Sequence, residues 1–128
     1  MIVVDASVVL ELLLNREKAG SIRQSLLAAE TSLAAPHLLD VEILNALRRI
    51  TAPKGLDAYT SGSILRELRN LPVNRFSHEP LLERIWELRK NFTSYDAAYI
   101  ALAEILGAAL YTCDEKLLRG HKARIVLF

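Results

Sequence analysis

The sequence predicts a three-layer α/β/α sandwich whose central, mainly parallel sheet has four or five short strands. Two observations carry that expectation. Short apolar runs alternate with longer helix-forming stretches from one end of the chain to the other, and parallel strands need crossover connections that bury them on both faces. The chain has 128 residues, 52% of them hydrophobic, which matches one domain with a substantial core, so residues 1–128 are read as a single domain.

Ile2-Val3-Val4 is a β-branched run ended by Asp5, and Ala6 to Leu14 then turns to helix-forming composition. A second helix over Ala19 to Ala29 gathers Ile22, Leu26 and Leu27 on one face, and Ser32 to Ala35 reads as a strand closed by Pro36. From His37 to Ile50, Leu38, Val41, Leu44 and Leu47 recur at three-residue steps and predict an amphipathic helix buried along that stripe. Pro53-Lys54-Gly55 breaks it, and Leu56 to Leu71 forms the next helix. Val73 to Phe76 is a strand, Glu79-Pro80 opens a helix reaching Lys90, and Thr93 or Ser94 caps an alanine-rich helix that ends at Leu106 before Gly107. Ala109 to Thr112 and Arg124 to Leu127 are strands flanking a short helix at Glu115 to Leu118.

Composition excludes several classes. A single cysteine, Cys113, rules out an internal disulfide framework and fits a reducing, cytoplasmic setting, with Cys113 itself read as a small core residue. The first residues lack a basic leader, and the apolar run from Val8 to Leu14 is short and interrupted by Glu11, so neither a signal peptide nor a membrane span is expected. Net charge is only +1, which points neither toward nor away from nucleic acid. Basic residues cluster at Arg48, Arg49 and Lys54, at Arg66, Arg69 and Arg75, and at Lys116, Arg119, Lys122 and Arg124; each cluster alone reads as a solvated face.

Four acids stand out by position. Asp5 ends the first strand and Asp114 follows the strand ending at Thr112, so both belong at the carboxyl edge of the sheet, where α/β folds gather ligands. Glu42 lies one turn into the third helix, on a face shared with Asn45 and Arg49, and Asp96 sits in the first turn of an otherwise apolar helix. Singly, each has an ordinary structural role: Asp5 and Asp114 as helix caps, Asp96 as a complement to the helix dipole, Glu42 as an exposed carboxylate. Together they would repel one another, and a hard divalent cation with oxygen ligands relieves that repulsion. His37, His78 and His121 are scattered and do not indicate a softer metal site.

Four segments carry a family resemblance: Ile2-Val3-Val4-Asp5-Ala6-Ser7, Val41 to Leu47, Ser94 to Ala103, and Thr112-Cys113-Asp114-Glu115-Lys116-Leu117. In this order they resemble the PIN-domain ribonucleases, especially the toxins of VapBC toxin–antitoxin pairs, over nearly the whole chain. The resemblance implies a PIN-like sandwich and an acidic pocket of Asp5, Glu42, Asp96 and Asp114 that binds Mg2+ or Mn2+ and cleaves RNA. It implies supporting roles for Ser7, Asn45 and Thr112. Their ordinary alternatives are a helix-start hydroxyl, an exposed amide and a strand-end residue. RNA phosphates approaching an acidic site call for flanking cations, and Arg49, Lys116 and Arg119 are the nearest by inferred topology. Single-stranded or loop RNA is the expected substrate, because sequence readout in RNA needs splayed bases.

The resemblance also implies a homodimer and a VapB-like antitoxin that places a basic side chain among the carboxylates, with the Val8 to Leu14 helix and the helix from Leu56 as contributing surfaces or as plain core. Four other classes compete for the same residues. A haloacid dehalogenase-like phosphatase needs an aspartate where Ser7 stands, and a receiver domain needs adjacent acids where Asp5 stands alone. A serine hydrolase needs a Gly-x-Ser-x-Gly elbow, which Thr60-Ser61-Gly62-Ser63 does not supply. A PIN-like module that binds RNA or protein without cutting is the remaining alternative, disfavoured by retention of all four acids.

Overall fold

The computed structural model describes residues 1–51 and 57–128; the helix break read at Pro53-Lys54-Gly55 and the helix start at Leu56 lie outside them. Strands β1 (Ile2–Val4), β2 (Leu33–Pro36), β3 (Val73–Phe76), β4 (Ala109–Thr112) and β5 (Arg124–Leu127) form one sheet in the order β3-β2-β1-β4-β5. All four pairings are parallel, with Val4 beside Tyr111 and Val3 beside both Ala34 and Leu110.

Helices α1 (Ala6–Leu13) and α2 (Ala19–Ala29) connect β1 to β2, and α3 (Leu38–Thr51) and α4 (Ala58–Asn70) connect β2 to β3. The return to β4 runs through a 3-10 turn at Glu79–Leu81, α5 (Leu82–Glu87) and α6 (Ser94–Leu106), and a second 3-10 turn at Glu115–Leu118 leads to β5. Parallel crossovers are right-handed. The first two crossovers step one way across the sheet and the third steps back past β1, so α1 to α4 form one layer and α5 and α6 the other. The packing agrees: α1 contacts α2, α3 and α4, whereas α6 lies over β1, β2 and β4 and packs on α5. The predicted three-layer sandwich is thus the observed one.

The core sits where strand and helix residues are apolar on both faces. Val3, Val4, Val8, Val9, Ala34, Leu39, Ile43, Ile100 and Leu110 are all essentially inaccessible to solvent, and each large side chain among them contributes about 1.5–3 kcal/mol of burial. At the end of α6, Gly107 adopts a left-handed φ of 60°, and the amide of Ala108 reaches back to the Ala103 carbonyl at 2.9 Å. That closure needs the missing Cβ and ends the helix where the sequence predicted.

Four local expectations are corrected. The buried face of α3 is Leu39, Ile43, Ala46 and Leu47; Val41 is 67% and Leu44 45% exposed. In α2, Ile22 is buried but Leu27 points outward. The helix expected from Glu79 to Lys90 is a 3-10 turn followed by the short α5, with Leu81 and Leu88 buried at its two ends. Arg75, read as part of a solvated basic face, instead forks onto Asp40 at 2.7 and 2.8 Å and also donates to the Leu68 carbonyl.

Candidate active site

The order of strand addition reverses between the parallel neighbours β1 and β4, and the crevice at the carboxyl ends of two such strands is where doubly wound folds place ligands. Asp5 follows β1 directly and Asp114 follows β4 by two residues. Apart from tyrosines, Asp5 and Thr112 are the buried polar side chains among the described residues, at 6% and 0% exposure. Burying a carboxylate is costly unless donors surround it.

Those donors are present. Ser7 Oγ–H donates to Asp5 Oδ1 at 2.6 Å, the Val8 amide donates to the same oxygen at 3.1 Å, and Thr112 Oγ1–H donates to Oδ2 at 2.5 Å. Both hydroxyls are also acceptors: Ser7 takes the Cys113 amide at 2.9 Å and Thr112 takes the Asp114 amide at 3.0 Å. The Asp5 amide in turn donates to the Tyr111 carbonyl at 3.2 Å. The ends of β1 and β4 are therefore stitched together through the two hydroxyls, with Asp5 at the centre of the stitch. Cys113 is half-buried, and its backbone rather than its thiol takes part.

The ordinary roles and the site roles coincide. Asp5 does cap α1, and Asp114 does cap the 3-10 turn by accepting the Lys116 amide at 2.9 Å. Thr93, not Ser94, caps α6, its Oγ1 accepting the Asp96 amide at 3.1 Å. Capping fixes each backbone at the carboxyl edge of the sheet.

Glu42 comes from α3 in one helical layer and Asp96 from α6 in the other. Electrostatics ties all four acids together. Burial raises the Asp5 carboxyl above its usual range, its three donors pull it down, and Asp96 pushes it up again. Glu42 is raised first by burial, with Asp96 and Asp5 adding repulsion and Tyr99 opposing it. Asp96 is raised by burial and then by Asp114, while Thr93 and Lys116 draw it down. Burial, with Glu42 next, holds the Tyr99 hydroxyl strongly in its neutral form.

Glu42 Oε1 and the Tyr99 hydroxyl are buried near each other, close enough for Tyr99 to draw the Glu42 carboxyl down, yet neither atom completes a hydrogen bond of good geometry. A buried unpaired carboxylate oxygen is expensive, and its retention calls for a partner of another kind. Among the described residues no three His, Cys, Asp or Glu side chains stand close enough to chelate an ion as they are. The carboxylates share one field without converging to a chelate. Their chemistry is all-oxygen and repulsive, with one orphaned atom, and this donor set fits a hard divalent cation that would draw them together.

Of the other predicted residues, Lys116 lies near enough to Asp96 to stabilise its charge. Asn45 is exposed, accepts from Arg48 Nε at 3.4 Å, and shares with Val41, Glu42 and Tyr95 a cavity of about 340 Å³. Arg49 and Arg119 are exposed on α3 and after the second 3-10 turn. Two residues were not anticipated. Tyr99 stands three positions after Asp96, one helical turn on, a spacing that could have marked it. Tyr95, 64% exposed beside Asp96, carries no periodic signal.

The class that this sheet order and acidic crevice define is the PIN domain, and that family matches residues 2–122. Over 117 residues the chain is 49% identical to the VapC ribonuclease Mb0985 of Mycobacterium bovis, an overlap covering 91% of this chain and 88% of that protein. Ribonuclease VapC12 of Mycobacterium tuberculosis is 38% identical over 129 residues, or 99% of this chain and 98% of the relative. Among solved structures, PAE2754 from Pyrobaculum aerophilum superposes with a TM-score of 0.72 at 28% identity, covering 97% of this chain and 81% of that one. The chain belongs to the PIN-domain family and, within it, to the VapC ribonucleases.

Proposed function

We propose that this chain is a metal-dependent endoribonuclease, the toxin of a type II toxin–antitoxin pair, acting as a single PIN domain with Asp5, Glu42, Asp96 and Asp114 as its metal ligands. The observation that carries the reading is the electrostatic coupling of four carboxylates, each repelled by at least one other, with Glu42 Oε1 lacking a well-formed donor bond, at the sheet's switch point. The names of the curated relatives support RNA as the substrate.

Asp5, Glu42, Asp96 and Asp114 would hold Mg2+ or Mn2+, which when bound would supply a water of lowered pKa and offset charge developing on the phosphate. The chain's own residues do the rest. Ser7 and Thr112 hold Asp5 in one orientation. Asp96 and Asp114 hold the attacking water, and a carboxylate placed there accepts its proton. Lys116 balances charge beside Asp96 and, with Arg49 and Arg119, engages RNA phosphates; Asn45 orients the substrate at the mouth of the cavity beside Glu42. No helix among the described residues is long and apolar enough to cross a membrane, and we place the protein in the cytoplasm as a homodimer neutralised by a VapB-like antitoxin.

The test is cleavage of a broad set of structured and single-stranded RNAs with magnesium or manganese, comparing wild type with Asp5→Asn. Divalent-dependent cleavage that falls to background in the variant supports the reading. Equal cleavage by both, or none by wild type, overturns it.

A further inference from the structure

A second cavity adjoins the acidic crevice. It has a volume of about 420 Å³, inside the roughly 300–1,000 Å³ span of small-ligand pockets, and is bordered by Leu38 of α3, Leu82, Ile85 and Trp86 of α5, and Tyr95 and Ala98 of α6. Its rim is unusually apolar for a surface: Trp86 is 67%, Tyr95 64% and Leu82 53% exposed. Contiguous exposed apolar surface of this kind marks a recognition site.

What it recognises follows from three features. Tyr95 lines both this cleft and the cavity holding Glu42 and Asn45, so the two form one continuous surface. Tyr95 and Asp96 both belong to the first turn of α6, so the cleft and the acidic centre share one helix end. The guanidinium of Arg89 lies 4.4 Å from the centre of the Trp86 ring and is held there by donating to the Trp86 carbonyl at 2.9 Å. One indole face is thereby backed by a cation, while the side chain stays largely open to solvent. Exposed aromatic rings beside a phosphate-processing centre are the surfaces on which single-stranded nucleic acids stack unpaired bases.

The geometry points to a base-stacking subsite: the cleft takes an unstacked nucleobase of single-stranded RNA adjacent to the phosphodiester held at the acidic pocket, with Trp86 and Tyr95 as its stacking surfaces. This rests on the ribonuclease reading and goes beyond it by naming how the substrate is held. It also accounts for Tyr95 and Trp86 being left outside the core, in contrast to the fully packed Tyr99.

Trp86 is the only tryptophan in the chain, so intrinsic fluorescence reports on this cleft directly. The Asp5→Asn protein, which binds without cutting, is titrated in magnesium with a short single-stranded RNA of mixed sequence and with an abasic oligomer carrying the same phosphates. Saturable quenching by the first and not by the second is expected. Tyr95→Ala should weaken binding of the base-bearing RNA about ten-fold, and Tyr95→Phe should restore it. Equal responses to both oligomers overturn the subsite. So does emission that ignores RNA but shifts with protein concentration, which means a second copy covers the cleft. Wild-type cleavage measured in parallel separates the two ideas: cleavage without base-dependent quenching removes the subsite alone, and base-dependent quenching without cleavage removes the nuclease reading alone.

Discussion

Replacing Thr112 by valine removes a single hydroxyl and keeps the shape of a fully buried side chain. That hydroxyl donates to Asp5 Oδ2 and accepts the Asp114 amide at 3.0 Å. Its loss strips Asp5 of one of three donors and leaves a part-buried amide unsatisfied; each such loss costs roughly 1–3 kcal/mol. The variant should therefore be destabilised by about 2–4 kcal/mol, a fall in Tm of roughly 8–16 °C for a domain of this size. Circular dichroism melts at neutral pH measure it, with Thr112→Ser as the control that keeps the hydroxyl and loses only a methyl, at about 1 kcal/mol. The pH dependence is specific. Removing a donor raises the Asp5 pKa further in the folded state, so the penalty is full where Asp5 is charged in both proteins and fades as pH falls through the already raised wild-type value. A valine variant within about 1 kcal/mol of wild type, a serine variant as unstable as valine, or a penalty that grows toward acid would refute the reasoning.

Three other outcomes follow. Asp96→Asn should abolish cleavage yet raise thermal stability by about 1 kcal/mol at neutral pH without divalent cation, since it relieves repulsion from Asp114 at a half-buried, partly screened position; a lowered melting temperature contradicts it. Because Asp5, Glu42 and Asp96 are all raised above 3.8 or 4.5, their contribution to metal-free stability is full below those values and lost as pH rises through the folded ones. Urea melts across pH in a chelator should show this decline, and a flat or rising stability over that range contradicts it. Arg75→Lys should cost about 1–2 kcal/mol by replacing a two-pronged fork on Asp40 with a point charge, read as a lower urea midpoint at unchanged slope.

How much of this was legible depended on how local the determinant is. Asp5 and Asp114 could be placed from sequence because a residue that ends a parallel strand falls at the sheet's carboxyl edge whatever packs above it. Glu42 and Asp96 could not, since the crossing of α3 and α6 over the sheet decides whether they meet; the motifs around them supplied that. The α3 stripe failed for a geometric reason. Apolar residues at strict three-residue steps drift about 60° per step around a helix of 3.6 residues per turn, so Leu38, Val41, Leu44 and Leu47 do not share a face. Leu39, Ile43, Ala46 and Leu47, at four, seven and eight residues, do. Leu27 fell away from Ile22 by the same arithmetic, lying five residues on, while Leu26 at four stays partly buried. The double use of the Ser7 and Thr112 hydroxyls was out of reach, because each binds a partner more than 100 residues away in the chain.

The four acids are also anchored unequally, and the inequality explains the architecture. Asp5 and Asp114 are held by hydrogen bonds from their own strand ends and caps, so their positions are set by the sheet alone. Glu42 and Asp96 ride on helices from opposite layers, coupled to the sheet-borne pair and to each other through repulsion, with no donor completing Glu42 Oε1. The crevice is therefore the seam at which the two helical layers meet across the switch point, and it is the least satisfied part of an otherwise well-packed fold. A divalent cation bound by acids from both layers would replace that repulsion with attraction, so occupancy of the site and cohesion of the domain are two readings of one coupling.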